Sequence, residues 1–368
     1  MQFQPIGYLE WMKDHFGRYK FDLANSSVRP LTPADLGLTP KDLEFTGENY
    51  HGHPALLKAI ADRYGVSPAN VVLTDGASMG IALVAFALLE QGTQLLLEAP
   101  NYEPLYRLPA SIGADVRILE RPFEKGFQVD LESFQRRISR DTRAVWLTNL
   151  HNPSGVMTDP EKLRAVCQVA RDHGTTVVCS EVFRDLVFER EAPAPVFKLE
   201  PSAVSIASLS KVYGLDGLRV GWILCNEDLA RRIEIVRNHL SVMGSFLCEQ
   251  VTLVAFRQLD RLLARSRGIV SENLPILREF VDQREDLDWV PPDGGTMAFL
   301  HLRSGVSSWD FTKFLHDRYS TLVTPGDFFW AKGFVRVGFG GDREVLRNGL
   351  KNLGDALTEW RRIRHVTG

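Results

Sequence analysis

The stretch SLSKVYGLDGLRVGW, residues 208–222, sets Lys211 beside the hydroxyls of Ser208 and Ser210, with Arg219 eight residues further on. The run before it, SAVSIA, reads as a buried strand, so Lys211 leaves the core at a strand's end. An edge lysine pointing at water is the ordinary case, because desolvating an ammonium is costly unless something uses it. A partly desolvated amine beside other cations loses its proton more readily, and is then a nucleophile and a general base. Three other stretches hold residues suited to a polar ligand. TDGASMG follows a strand pattern and opens a helix, so Gly76, Ala77 and Ser78 can offer N–H groups to an anion. HNPSG carries Asn152. GFVRVGFG carries Arg336, whose planar fork suits a carboxylate better than a lysine would.

These residues need a frame. From about residue 55 to 225, short β-branched runs alternate with helical patterns. The strand candidates are NVVLTDG, TQLLLEAP, ADVRILER, RAVWLTNL, TTVVCSEVF, AVSIASLS and RVGWILC. Between them lie helix patterns such as GASMGIALVAFALLEQG and PEKLRAVCQVARDHG, the latter opening near Pro160 and closing at Gly174. Seven strands with helical crossovers predict an α/β fold with a mostly parallel sheet flanked by helices. Ligands of such sheets sit outside the carboxyl ends of the strands, where Asn152, Ser180 and Lys211 fall. Beyond RVGWILC the pattern predicts one helical stretch over 227–266, a second over 269–284, two short strands (GGTMAFLHL, FVRVGFG) and a closing helix. This gives a large domain over 41–245, a smaller α+β domain over 246–368 and an N-terminal arm, 1–40, packing on the small domain. The polar, proline-bearing loop NSSVRPLTPADLGLTP is of the kind that borders active sites.

At 368 residues the chain has room for about two domains. A formal charge of −3, with both signs mixed along the chain, gives no reason to expect nucleic acid or a membrane surface as partner. Cys167, Cys179, Cys225 and Cys248 lack metal-ligand spacing, and two lie in strand-like runs, so buried reduced thiols are expected and no metal. Neither an N-terminal apolar leader nor a membrane-length apolar run is present, which predicts a soluble, cytoplasmic protein.

Taken in order along nearly the whole chain, these motifs resemble the class I/II aminotransferases, the fold type I pyridoxal-phosphate enzymes. The resemblance implies pyridoxal 5′-phosphate as cofactor, an α-amino acid as substrate, and Lys211 as the residue forming a Schiff base with the cofactor and then moving the α-proton. It implies phosphate binding by Gly76, Ala77, Ser78, Ser208, Ser210 and Arg219. Tyr50, in ENYHGHPALL, matches a tyrosine that reaches the phosphate of a neighbouring subunit, which implies a homodimer. Tyr102, in APNYEPLY, matches the aromatic on the pyridine ring, Asn152 the partner of its O3′, and Arg336 the clamp on the substrate carboxylate.

One segment departs from the family. Where an Asp-Glu-x-Tyr pattern is usual, this chain reads CSEVF, with Ser180 in the aspartate's place and Phe183 in the tyrosine's. A serine offers pyridine N1 only a neutral hydrogen bond, weaker than a charge-assisted one. Phe183 removes a hydrogen bond to O3′. A shifted register would bring in the Glu181 carboxylate instead, but adjacent strand residues face opposite ways. The N-terminal YLEWMKDHFGRYKFDLANSSV resembles, more faintly, enzymes that cyclise hydroxylated arginines. That likeness implies Glu10 and Ser26 near the substrate's distal group, although Glu10 also suits a solvated helix face. Two enzyme readings follow: a transaminase with a weakened electron sink, or a specialised enzyme of elimination, replacement or cyclisation. A regulatory binding module needs an N-terminal DNA-binding domain, for which about 40 residues leave no room.

Overall fold

The computed structural model describes residues 2–303 and 305–367. All seven expected strands form, in one sheet of order Val71–Thr74, Gly221–Leu224, Val204–Ser208, Thr176–Ser180, Thr142–Thr148, Gln94–Ala99, Asp115–Glu120. Five neighbouring members pair in parallel, while Gly221–Leu224 runs antiparallel to both its neighbours. The physical reason lies in the connection: Val204–Ser208 returns through the Lys211 loop without a helical crossover, and a parallel neighbour requires one. The central strands are buried over nearly all their length, whereas Asp115–Glu120 at the edge alternates exposed and part-covered positions over most of its length.

The helix Gly76–Leu88 is apolar almost all round, and it lies between the sheet and the outer helix Glu227–Leu240. Ile81 and Val84 pack with Ile206 and Ile223 of the sheet and with Leu229 and Ile233 of that outer helix. A helix without a polar face has no other stable place. Pro160–Asp172 begins as expected, with Asp159 capping the N–H groups of Glu161 and Lys162, and closes at Gly174, whose φ is +71°.

The expected helical stretch over 227–266 is three helices: Glu227–Leu240, Phe246–Phe256 and the start of Leu259–Asp282. The first break carries a turn in which Val242 adopts φ +59°, followed by Ser245, which caps the next helix through the Cys248 N–H. A gap was expected near Gly268, yet Leu259–Asp282 runs through it. Its buried stripe, Leu262, Ile269, Val270, Leu277 and Val281, is continuous across the glycine, and that burial outweighs the roughly 1 kcal/mol a helical glycine costs.

A four-stranded antiparallel sheet follows, in the order Thr324–Pro325, Phe334–Gly338, Met297–Leu302, Leu287–Trp289. One apolar cluster joins Leu56 and Trp222 of the first sheet's surroundings to Phe311, Phe339 and Leu350 around the second. The N-terminal residues tie to both regions. Phe21–Asp22 pairs in parallel with Thr321–Leu322. At the other end, the Glu103 carboxylate accepts the Gly7 and Tyr8 N–H groups (3.2 and 2.6 Å), fastening the start of helix Gly7–His15. No helix among the described residues is long and apolar enough to cross a membrane.

Candidate active site

A cavity of about 450 Å³ opens at the carboxyl ends of the parallel strands. Lys211 lines it, one turn beyond the end of Val204–Ser208. Burial lowers its amine pKa to about 8, with Arg336 and Arg219 adding to the effect and Asp216 opposing it. A substantial fraction of the amine is therefore uncharged just above neutrality, as a nucleophile or base requires.

Arg219 also lines the cavity and lies against the start of helix Gly76–Leu88. Gly76 has φ +77°, and a Cβ there would stand 2.5 Å from the Arg219 Nη2. Only glycine accommodates both the backbone conformation and the guanidinium. The helix start has no side-chain cap, so its first N–H groups remain available beside a guanidinium, with Ala77 and Ser78 on the cavity wall. Uncapped N–H groups, the positive end of a helix dipole and an arginine together make an anion site. The Ser210 hydroxyl lines the cavity and bonds Ser208 Oγ (2.7 Å), which lies buried behind it.

Arg336 stands in the strand Phe334–Gly338 and is 1% exposed. Its Nη1 donates to Asn152 Oδ1 (3.1 Å), and its Nη2 donates to the Tyr8 hydroxyl (3.0 Å) and the Ala24 carbonyl (3.1 Å). Its guanidinium also lies 5.0 Å from the Phe329 ring centre. The buried Nε has no hydrogen-bond partner, and among the described residues no carboxylate pairs with this arginine. Tyr102 lines the cavity and meets Tyr8 edge-on, ring centres 5.5 Å apart.

Ser180 ends the strand Thr176–Ser180 and lines the cavity, as does Phe183. Glu181 faces the other side of the sheet. Its carboxylate accepts the Val196 N–H (2.7 Å), and burial raises its pKa to about 7. The shifted register that would have brought Glu181 to the cavity is therefore not adopted.

Ser26 reaches the cavity. Glu10 does not line it; its carboxylate pairs with Lys13 (2.8 Å) on the exposed face of the N-terminal helix. Tyr50 is 70% exposed and also stands outside this chain's cavity. Residues the sequence reading passed over include Tyr8, Leu9 and Met12 of the N-terminal helix, Phe16 just past its end, and Asn25 and Thr148. The apolar spacing at positions 9, 12 and 16 is a helical stripe and was the available signal. The approach of Tyr8 to Arg336, 328 residues apart, had none.

Residues 40–353 match the family model for aminotransferase class I and II. The chain belongs to this family. Among curated proteins it is similar to capreomycidine synthase of Streptomyces vinaceus, 30% identical over 377 residues that cover 99% of this chain and 97% of that protein. Among solved structures, a PLP-dependent aminotransferase from Streptococcus suis 89-1591 superposes with a TM-score of 0.92 at 27% identity, covering 98% of this chain and 99% of the other. The PLP-dependent cyclase OrfR gives 0.89 at 30% identity, covering 98% of each chain. This aminotransferase-family chain is accordingly a fold type I pyridoxal 5′-phosphate enzyme, of the transferase or lyase/cyclase kind. Its cavity fits that cofactor: an anion site for a phosphate at Gly76 and Arg219, a lysine of lowered pKa, and an aromatic wall at Tyr102.

Proposed function

We propose that the enzyme transforms an α-amino acid, with Lys211 carrying the cofactor and moving the substrate's α-proton, and with Arg336 holding the α-carboxylate. The observation that carries this reading is the buried guanidinium of Arg336, which has no carboxylate partner among the described residues and leaves Nε without an acceptor. A buried cation is costly unless an anion joins it, and a substrate carboxylate supplies one. Asn152 and Tyr8 hold the two Nη atoms and so fix the plane of the fork.

When bound, pyridoxal phosphate supplies an aldehyde that condenses with amines and a ring that takes up the electron pair left at the α-carbon. Arg219, the N–H groups of Gly76, Ala77 and Ser78, and the hydroxyl of Ser210, itself held by Ser208 Oγ, would hold its phosphate. Tyr102 would cover the ring and Asn152 would bond its hydroxyl oxygen. Ser180 would meet the ring nitrogen with a neutral hydroxyl, and Phe183 offers the ring no polar group. Lys211, its amine pKa lowered to about 8, takes the α-proton, and the positive field of Arg336 and Arg219 favours its release onward.

A second reading, cyclisation of a hydroxylated guanidino amino acid, is favoured by one specific observation. The chain is 30% identical to capreomycidine synthase over 99% of its length and 30% identical to the PLP-dependent cyclase OrfR over 98%, and its N-terminal helix lines the cavity. In this reading the substrate loses its hydroxyl as water and a guanidino nitrogen bonds to the same carbon. Ser26, which lines the cavity, attends the distal group. The neutral Ser180 suits that outcome, since a ring left unprotonated is a poorer acceptor for the proton that transamination returns to the cofactor.

The same proposal includes a homodimer in a reducing, cytoplasmic setting. Tyr50, Phe45, Ile235, Leu240 and Val242 are exposed apolar side chains on two segments joined by Asn49 Nδ2 to the Gly244 carbonyl (2.9 Å) and Arg237 Nη2 to the Tyr50 carbonyl (3.1 Å). Such a patch suits a second copy of the chain, with Tyr50 reaching its phosphate site. The test is to incubate the holoenzyme with L-alanine, L-aspartate, L-arginine and 3-hydroxyarginine, with and without 2-oxo acids, and to identify products by mass. Transamination yields a keto acid, and cyclisation yields a product lighter by one water with every nitrogen retained. A panel in which nothing is consumed and the bound cofactor's absorption never changes would sink the reading.

A further inference from the structure

We propose that the buried ion pair Glu98–Arg121 is a positioning device that sets Tyr102 and Asn152 from a single carboxylate. Both side chains are wholly inaccessible, with Arg121 Nη1 2.7 Å from Glu98 Oε2. A buried ion pair is seldom worth more to stability than a well-packed apolar pair, so its contacts are the place to look for its use. The other oxygen, Oε1, accepts from the Thr148 N–H (2.5 Å), the Thr148 hydroxyl (2.6 Å) and Asn101 Nδ2 (3.3 Å). Two arms leave from there. Asn101 Oδ1 accepts the Tyr102 N–H (2.7 Å), and Thr148 Oγ1 accepts the Asn152 N–H (3.2 Å). Asn152 in turn holds Arg336 (3.1 Å).

Glu98 lies in the strand Gln94–Ala99, between Asp115–Glu120 and Thr142–Thr148. Its carboxylate thus joins two loops that leave adjacent strands and form facing parts of the cavity. Arg121 closes the third side: its Nε donates to the Phe127 carbonyl (2.5 Å) and its Nη2 to Thr158 Oγ1 (3.1 Å). Every polar atom of Glu98 is occupied, so a shift of the carboxylate would move both arms together. Glu98 and Thr148 are positioning residues here, acting through Tyr102 and Asn152. The inference rests on the reading that those two residues face the cofactor and the substrate carboxylate.

The test uses the holoenzyme and two readouts that need no turnover. One is the pH midpoint of the bound cofactor's visible absorption; the other is the affinity for propionate, an amine-free carboxylate, followed by that absorption. Thr148→Val removes the hydroxyl link, and is expected to shift the midpoint by about half a unit and to weaken propionate on the order of tenfold. Thr148→Ser keeps the hydroxyl and is expected to restore both. Glu98→Asp leaves Arg121 an anion but shortens the reach, and is expected to move both readouts as Thr148→Val does. Should Glu98→Asp not fold, the Thr148 pair decides. Variants that lose thermal stability while both readouts keep their wild-type values would show a merely structural pair and overturn the proposal. Absence of any cofactor band in the wild type would remove the functional reading, and this proposal with it.

Discussion

Arg336 is held from three sides, by Asn152, Tyr8 and the Ala24 carbonyl. A lysine there would keep the charge but lose the fork. Arg336→Lys is therefore expected to weaken amino-acid binding by roughly 30- to 1000-fold, or about 2–4 kcal/mol, with cofactor affinity nearly unchanged. Titration of the bound cofactor's absorption with amino acid checks this, and an unaltered affinity would assign the carboxylate to another group. Ser180 carries a second expectation at this scale. Ser180→Asp adds a carboxylate where the cavity wall now has a neutral hydroxyl and, on the proposed reading, charges the ring nitrogen's partner. Keto acid formed per substrate consumed should rise, and the bound cofactor's absorption should change. Constant product ratios and an unchanged spectrum would mean that Ser180 does not meet the ring.

Two elements set the site: the start of helix Gly76–Leu88 and the N-terminal helix Gly7–His15. At the first, Gly76→Ala puts a methyl group within 2.5 Å of the Arg219 guanidinium at φ +77°. The conformational cost alone is about 1–2 kcal/mol, and Arg219 must also move. Affinity for pyridoxal phosphate should fall by roughly tenfold or more, while affinity for pyridoxal, which lacks the phosphate, should hold. Equal losses for the two would place the phosphate elsewhere. Much of this element was legible in the sequence, because a glycine turn between a β-branched run and an apolar helix has few alternatives. The sheet was legible for a related reason: strands buried on both faces read as unbroken apolar runs. The antiparallel Gly221–Leu224 was not, since strand direction depends on the path of the connection rather than on residue type. Nor was the run of Leu259–Asp282 through Gly268, where burial against distant residues overrides local preference. The N-terminal helix showed its apolar stripe, but not that the stripe would line the cavity. That depends on Glu103, from another segment, capping its first turn.

The molecule as a whole places an amine of lowered pKa, a buried guanidinium with no carboxylate partner among the described residues and a helix-start anion site around one cavity between two sheets. On the proposed reading, Lys211 is the lysine that carries the cofactor. The lowered pKa adds a pH sign. The Lys211 amine is mostly protonated below about 8 and mostly neutral above it, so capture of pyridoxal phosphate by the cofactor-stripped enzyme should speed up as pH rises through about 8. An ordinary exposed lysine would show that rise nearer its usual pKa of about 10.4. The most direct measurement is borohydride reduction of the holoenzyme followed by peptide mapping. The reduced cofactor is expected on the peptide containing Lys211, and a Lys211→Ala variant is expected to bind pyridoxal phosphate without being labelled. Reduced cofactor on any other lysine, with Lys211 unmodified, would contradict it.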